Sequence, residues 1–109
     1  MAYDERLAQR IRDHIGPHPG IAEKHMFGGL AFLYRGNMAF GVIGDELIVR
    51  VGPEATDAAL ARADARLFDF SSRPMRGWVT VGAAGIANDG SLCTWIDEGH
   101  AYAGSLPPK

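Results

Sequence analysis

Between Ile21 and Val51 the chain runs as short apolar segments broken at Gly28-Gly29, Gly36-Asn37 and Gly44-Asp45-Glu46. Glycine-containing steps of this kind supply the positive φ angles that tight turns require, so the stretch predicts antiparallel strands joined in series by hairpins. A two-residue turn at Gly36-Asn37 sets Arg35 opposite Met38, Leu33 opposite Phe40 and Ala31 opposite Val42. If the next hairpin also turns on two residues, Ala31, Leu33, Met38, Phe40, Val42, Leu47, Val49 and Val51 share one face, the expected core face. A three-residue loop there would flip the last strand. The other face collects Leu30, Phe32, Tyr34, Ala39, Gly41, Ile43, Glu46, Ile48 and Arg50. That mixture is too polar for a core and too apolar for water, so this face is expected to meet something.

Helical patterns flank these strands. Leu7, Ala8, Ile11 and Ile15 recur at helical spacing after Asp4-Glu5, and Gly16-Pro17 ends the pattern, which predicts an amphipathic helix over residues 4–15. Gly52-Pro53-Glu54 resembles the start of a short helix running to about Arg62. Leu67–Phe70 and Trp78–Val81 alternate like strands and are expected at sheet edges, separated by an ordered loop over residues 71–77. Asn88, Asp89 and Ser91 offer caps for a last helix with Leu92, Trp95, Ile96, Tyr102 and Ala103 on one stripe. Gly99 falls on that stripe. A glycine there costs about 1 kcal/mol of helix stability relative to alanine, which points to close packing on the sheet.

A chain of 109 residues with 47% hydrophobic and 22% charged residues is long enough for one hydrophobic core, and one domain over 1–109 is expected. The formal charge of -2 gives no long-range field to attract a polyanion, so any nucleic-acid contact would be local. Cys93 has no internal disulfide partner, no apolar leader follows Met1, and Leu30–Tyr34 is the longest apolar run. The expectation is a cytoplasmic protein that neither enters nor crosses a membrane.

The residues that could carry chemistry favour structure instead. His14 and His18 have the spacing of a helical zinc pair, but Gly16-Pro17 breaks the helix between them, and His25, His100 and Cys93 are remote, so no metal site is expected. Cys93 lies on or beside the packing stripe of the last helix and reads as a small hydrophobe rather than a nucleophile. Gly28-Gly29 precedes strand-like residues, which suits a bulge or close backbone contact and not a phosphate cradle. Adjacent acidic pairs such as Asp45-Glu46 diverge on any regular element and form no acid and base couple. No catalytic residue and no cofactor are expected. The densest group of recognition-prone types is Arg73, Met75, Arg76 and Trp78, to which Arg50 adds a further cation, because arginine and tryptophan dominate interface hot spots.

The strings Met26-Phe27-Gly28-Gly29, Gly36-Asn37-Met38, Arg50-Val51-Gly52-Pro53-Glu54 and Arg73-Pro74-Met75-Arg76-Gly77-Trp78 occur in that order. With Trp95 and Ser105-Leu106-Pro107-Pro108-Lys109 they resemble the N-terminal domain of the TfoX/Sxy family. The resemblance implies a two-layer α+β fold, with helices packed on one face of an antiparallel sheet, and a connection to regulators of natural DNA-uptake competence. The two-domain regulators continue into a helical domain where this chain ends at Lys109, so the chain is expected to be the N-terminal domain alone. The family supplies no agreed catalytic residues.

Together these features point to a non-catalytic regulatory or protein-binding domain. The competing expectations are a nucleic-acid-associated protein using Arg73, Arg76, Lys24 and Arg50 as phosphate contacts, and a small-molecule binder with a pocket assembled from distant residues. A homodimer is expected through the mixed sheet face, with Leu30, Phe32, Tyr34, Ile43 and Ile48 in the interface and an unidentified protein as the alternative occupant.

Overall fold

The computed structural model of the chain describes residues 3–26, 28–70 and 73–108, and for residues 70 and 73–75 the backbone alone. In chain order the elements are α1 (Glu5–Ile15), β1 (Ile21–Met26), β2 (Gly29–Tyr34), β3 (Asn37–Ile43), β4 (Glu46–Arg50) and α2 (Thr56–Leu60). They continue with β5 (Ala65–Phe70), β6 (Arg73–Val81), a 3-10 turn (Ala83–Ile86) and α3 (Asp89–Gly104). The strands form one six-stranded sheet in the order β1-β2-β3-β4-β6-β5, antiparallel throughout. Leu7, Ala8 and Ile11 of α1, Ala59 of α2 and Leu92, Trp95, Ile96 and Ala103 of α3 all enter one core on one face of the sheet. The fold is α+β in two layers, as expected.

The helix ends follow local chemistry. Asp4 accepts hydrogen bonds from the backbone N–H groups of Arg6 and Leu7 at 2.8 and 3.3 Å, satisfying two of the orphan donors of α1. Gly16, at φ 61°, then turns the chain out of the helix. Asn88 caps α3 in the same manner through Gly90 and Ser91. The second helix is shorter than expected, because residues 53–55 form a turn and Gly52, at φ 90°, cannot belong to a helix. No helix among the described residues is long and apolar enough to cross a membrane.

The register of the first interior hairpin differs from the expected one. The turn falls on Arg35-Gly36, both at positive φ (52° and 86°), so Tyr34 pairs with Asn37 and Leu33 with Met38. Asn37 is withdrawn from the turn because its side-chain amide, buried at 3% exposure, donates to the Pro107 carbonyl at 2.9 Å. Ala39 is an extra residue in β3, since Leu33 pairs with Met38 but Phe32 with Phe40. This bulge keeps Phe40 and Val42 facing the helices while the one-residue shift reverses β2. Leu30 and Phe32 therefore lie in the helix-covered core with Tyr34 packed against it, and Ala31 and Met38 lie on the reverse face. Ile43 and Ile48 also sit on that reverse face. The five residues expected to form a dimer interface do not share a face, and Leu30 and Phe32 could meet another chain only by opening the core. The second interior hairpin turns on two residues, the first of the two lengths considered, with Ile43 opposite Glu46 and Val42 opposite Leu47.

The reverse face carries its own apolar cluster of Ala31, Met38, Ile48 and Phe68, flanked by half-buried Leu33, Ile43 and Trp78. The expected loop over residues 71–77 is largely strand, since β6 begins at Arg73; Ser71 and Ser72 lie outside the described residues. Nor is Trp78–Val81 an edge, because β6 is inserted between β4 and β5. A sharp register change, from Leu67 opposite Val79 to Phe68 opposite Met75, leaves Arg76, Gly77 and Trp78 without partners on β5. On its other edge β6 pairs with β4, where Trp78 lies opposite Arg50.

Helix α3 lies close on the sheet. A Cβ at Gly99 would sit 2.5 Å from the Ala39 carbonyl oxygen and 3.2 Å from Val49 Cγ1, so only glycine fits. Two substitutions test this packing by urea unfolding. Trp95, 2% exposed, should cost about 3 to 5 kcal/mol on truncation to alanine, because a large cavity opens in the core. Gly99→Ala should cost about 1 to 3 kcal/mol despite alanine's better helix propensity, because the atoms it strikes are backbone. A stabilised Gly99→Ala protein would contradict the close approach.

Candidate binding site

The site forms where β4 ends beside Trp78 of β6, within reach of Tyr102 in the C-terminal half of α3. The β6 irregularity is tied to the chain after β4, since the Gly77 carbonyl, with Gly77 at φ 97°, accepts from the N–H groups of Val51 and Gly52 at 2.9 and 3.0 Å. The Thr56 hydroxyl donates to the Gly52 carbonyl at 2.8 Å and holds the next turn. A Cβ on Gly52 would collide with the Tyr102 ring, so its absence lets that ring rest on the backbone. Val51, Gly52, Pro53, Glu54, Ala55 and Tyr102 line an open groove of about 400 Å³.

Arg50 occupies the junction. Its guanidinium carbon is 5.0 Å from the Trp78 ring centre and 5.5 Å from that of Tyr102, within cation–π range of both. Its side chain makes no hydrogen bond and no ion pair among the described residues. The other half-buried arginines described each have an acid: Arg10 has Asp89, Arg12 has Glu23 and Arg62 has Glu98.

Of the five residues expected in a binding site, the structure unites Arg50 and Trp78. Arg76 is exposed and pairs with Asp57 at 3.3 Å instead. The side chains of Arg73 and Met75 lie outside the described residues. Tyr102 and Gly52, which complete the site, were read from sequence only as a packing residue and a helix lead-in. The signal available was Gly-Pro at the end of an apolar strand.

A second constellation joins residues far apart in sequence. His18, Tyr34 and His100 stack edge to face, with ring centres 5.3 Å apart for His18 and Tyr34, 5.2 Å for His18 and His100, and 4.4 Å for Tyr34 and His100. Gly20 N–H donates to His18 Nδ1 at 3.1 Å, which orients that ring. Burial, then the neighbouring His18, push the His100 pKa below its ordinary value, and Asp97 opposes them. His14 is elsewhere, 2.8 Å from Asp97. Cys93 is half-buried beside a separate groove of about 260 Å³ that also touches Arg10, Asp13, His14, Asp89 and Leu92. Among the described residues no three His, Cys, Asp or Glu side chains converge to hold a metal. Gly28-Gly29 is a turn followed by a close backbone approach, since a Cβ on Gly29 would strike the Val42 carbonyl.

In comparison with known proteins, the family model described as the TfoX N-terminal domain matches residues 13–103. No curated protein matches the chain, and no solved structure does.

The histidine cluster predicts a pH dependence. Between the lowered native pKa of His100 and its ordinary value of 6.5 the unfolded chain binds more protons than the native one, so stability falls as pH drops through that window. Glu23, held below the usual carboxylate range chiefly by its hydrogen bond from Arg12, loses its contribution only further down, below about 4.5. Urea midpoints should therefore fall from pH 7.5 to 5.5, and His100→Asn should flatten that fall. Equal falls in both proteins would remove His100 as its source.

Proposed function

Because the chain belongs to the TfoX N-terminal domain family, we propose that it is a non-catalytic, competence-regulator-like module of the cytoplasm. Its task is to bind another protein through Arg50, Trp78 and Tyr102. One observation carries this: a half-buried arginine within cation–π range of two aromatic rings, its hydrogen-bonding fork unused among the described residues, beside a groove that Tyr102 also lines. Arginine and aromatic residues in such settings supply most of the energy of protein interfaces. Here their backbone is fixed by the Gly77 and Thr56 hydrogen bonds, so little freedom is lost on binding.

The distribution of positive charge speaks against a nucleic-acid surface. Lys24 lies on β1, three strands from Arg50 on β4, a separation of roughly 14 Å. Arg76 is occupied by Asp57, and Glu54 lines the groove beside Arg50. No row of free cations follows a phosphate backbone among the described residues.

The test is capture of partner proteins from the source cytoplasm on immobilised chain, with Trp78→Ala as the comparison and its folding checked by urea unfolding. A protein retained by the native chain should be depleted about tenfold or more by Trp78→Ala, as for an interface hot spot. Fluorescence anisotropy with labelled duplex DNA near physiological salt should show a dissociation constant weaker than about 1 µM. Tighter duplex binding would reverse the order of these two functions.

A further inference from the structure

The geometry points to Arg50 as the receptor for a single carboxylate carried on an apolar segment of the bound partner, the apolar part lying in the groove of Val51, Gly52, Pro53, Ala55 and Tyr102. This rests on the protein-binding function proposed above and names the chemistry that the site takes.

The strongest support is an internal comparison along α3. Trp95 and Tyr102 are seven residues apart, two helical turns, and so point in similar directions. Each lies beneath an arginine: Arg62 is 3.4 Å from the centre of the Trp95 ring, and Arg50 is 5.5 Å from that of Tyr102. Glu98, three residues after Trp95, supplies the acid for Arg62. Three residues after Tyr102 stands Ser105, whose hydroxyl donates to the Tyr102 carbonyl at 2.6 Å and offers Arg50 no charge. The same arrangement is thus complete at one end of the helix and lacks its anion at the other.

The kind of anion follows from the surroundings. A guanidinium fork matches carboxylate and phosphate alike. A phosphate carries close to two negative charges and calls for several donors. Among the described residues one cation here is without an acid, Glu54 lines the adjoining groove, and Asp57 already holds Arg76. A second negative charge would meet those carboxylates without compensation, whereas one carboxylate balances Arg50. The groove is otherwise apolar or backbone, which suits an aliphatic neighbour of that carboxylate. Tyr102 is the shared wall, touching Arg50 and lining the groove.

The experiment uses the whole chain and a small probe. Sodium 4-methylpentanoate, which joins a carboxylate to a branched aliphatic tail, is titrated while the Arg50 Nε–H and Tyr102 ring signals are followed by NMR. The neutral control is 4-methylpentanamide, and inorganic phosphate tests the other anion. A saturable shift is expected with a dissociation constant on the order of 1 to 10 mM, appropriate to a ligand of so few atoms. The amide, and the acid on Arg50→Gln, should bind about tenfold more weakly or worse, as for loss of a charge-assisted hydrogen bond. Because Arg50→Gln could disturb the fold, Glu54→Gln provides a second arm, and removing that carboxylate should tighten binding of the acid. No saturable shift, an amide equal to the acid, or phosphate binding more tightly than the acid would each overturn the assignment. Failure here with Trp78-dependent capture intact would remove the carboxylate and leave the protein-binding function. Arg50-dependent acid binding without any captured protein would do the reverse.

Discussion

The absence of one side chain, at Gly99, governs much of this structure. With any Cβ there, α3 would strike the Ala39 carbonyl, and the helix would have to lift off the sheet. At its present height, Trp95, Ile96 and Ala103 are almost wholly buried, and the next turn delivers functional side chains to both sides of the helix. His100 meets Tyr34 and His18, while Tyr102 rests on Gly52 and stacks with Arg50. Gly104 continues the same close approach, since a Cβ there would lie 3.2 Å from the Tyr34 ring. Core packing and the two surface constellations are therefore consequences of one helix-to-sheet distance. The helix-propensity cost of a mid-helix glycine is offset by burial that no other residue would permit at that position.

How far the fold was legible in the amino-acid pattern depended on whether the pattern was one-sided. Helix α1 has a single apolar stripe and explicit caps, and its bounds follow almost residue by residue from Asp4 and Gly16. The same holds for the stripe of α3. Strand β2, by contrast, reads Gly-Leu-Ala-Phe-Leu-Tyr, apolar on both faces, so alternation could not say which side meets the helices. The choice was made by two distant features, the Asn37 to Pro107 hydrogen bond and the bulge at Ala39. Neither leaves a local signature, and together they inverted the assignment of Leu30, Phe32 and Tyr34.

The candidate site was half legible for a related reason. Residue type alone marked Arg50 and Trp78, because arginine and tryptophan are rare on a surface unless they are used or packed. Their union comes from the long-range pairing of β4 with β6, which sets Trp78 opposite Arg50. Tyr102 and the histidine cluster were invisible because their partners lie tens of residues away and carry no motif. The six-stranded sheet and α3 bring them together, in a chain that belongs to the TfoX N-terminal domain family over residues 13–103. Folds host many functions, so it is the geometry around Arg50 that must carry the functional argument.

Charge placement explains why that geometry stands out. Most ion pairs here are exposed, as between Arg66 and Glu46 or Arg76 and Asp57, and pairs of that kind contribute about 0 to 1 kcal/mol each. They serve mainly to keep cations occupied on a surface of formal charge -2. Against that background an arginine that is half-buried, stacked twice and without an acid among the described residues is a departure from the chain's own pattern. Cation–π contacts favour the guanidinium position but do not satisfy its N–H donors, which still require oxygen acceptors. A partner supplying the proposed oxyanion would meet that need with a charge-assisted pair beside backbone already ordered by the Gly77 and Thr56 hydrogen bonds. For the proposed carboxylate contact, ordering of this backbone during folding lowers the entropy that binding has left to remove.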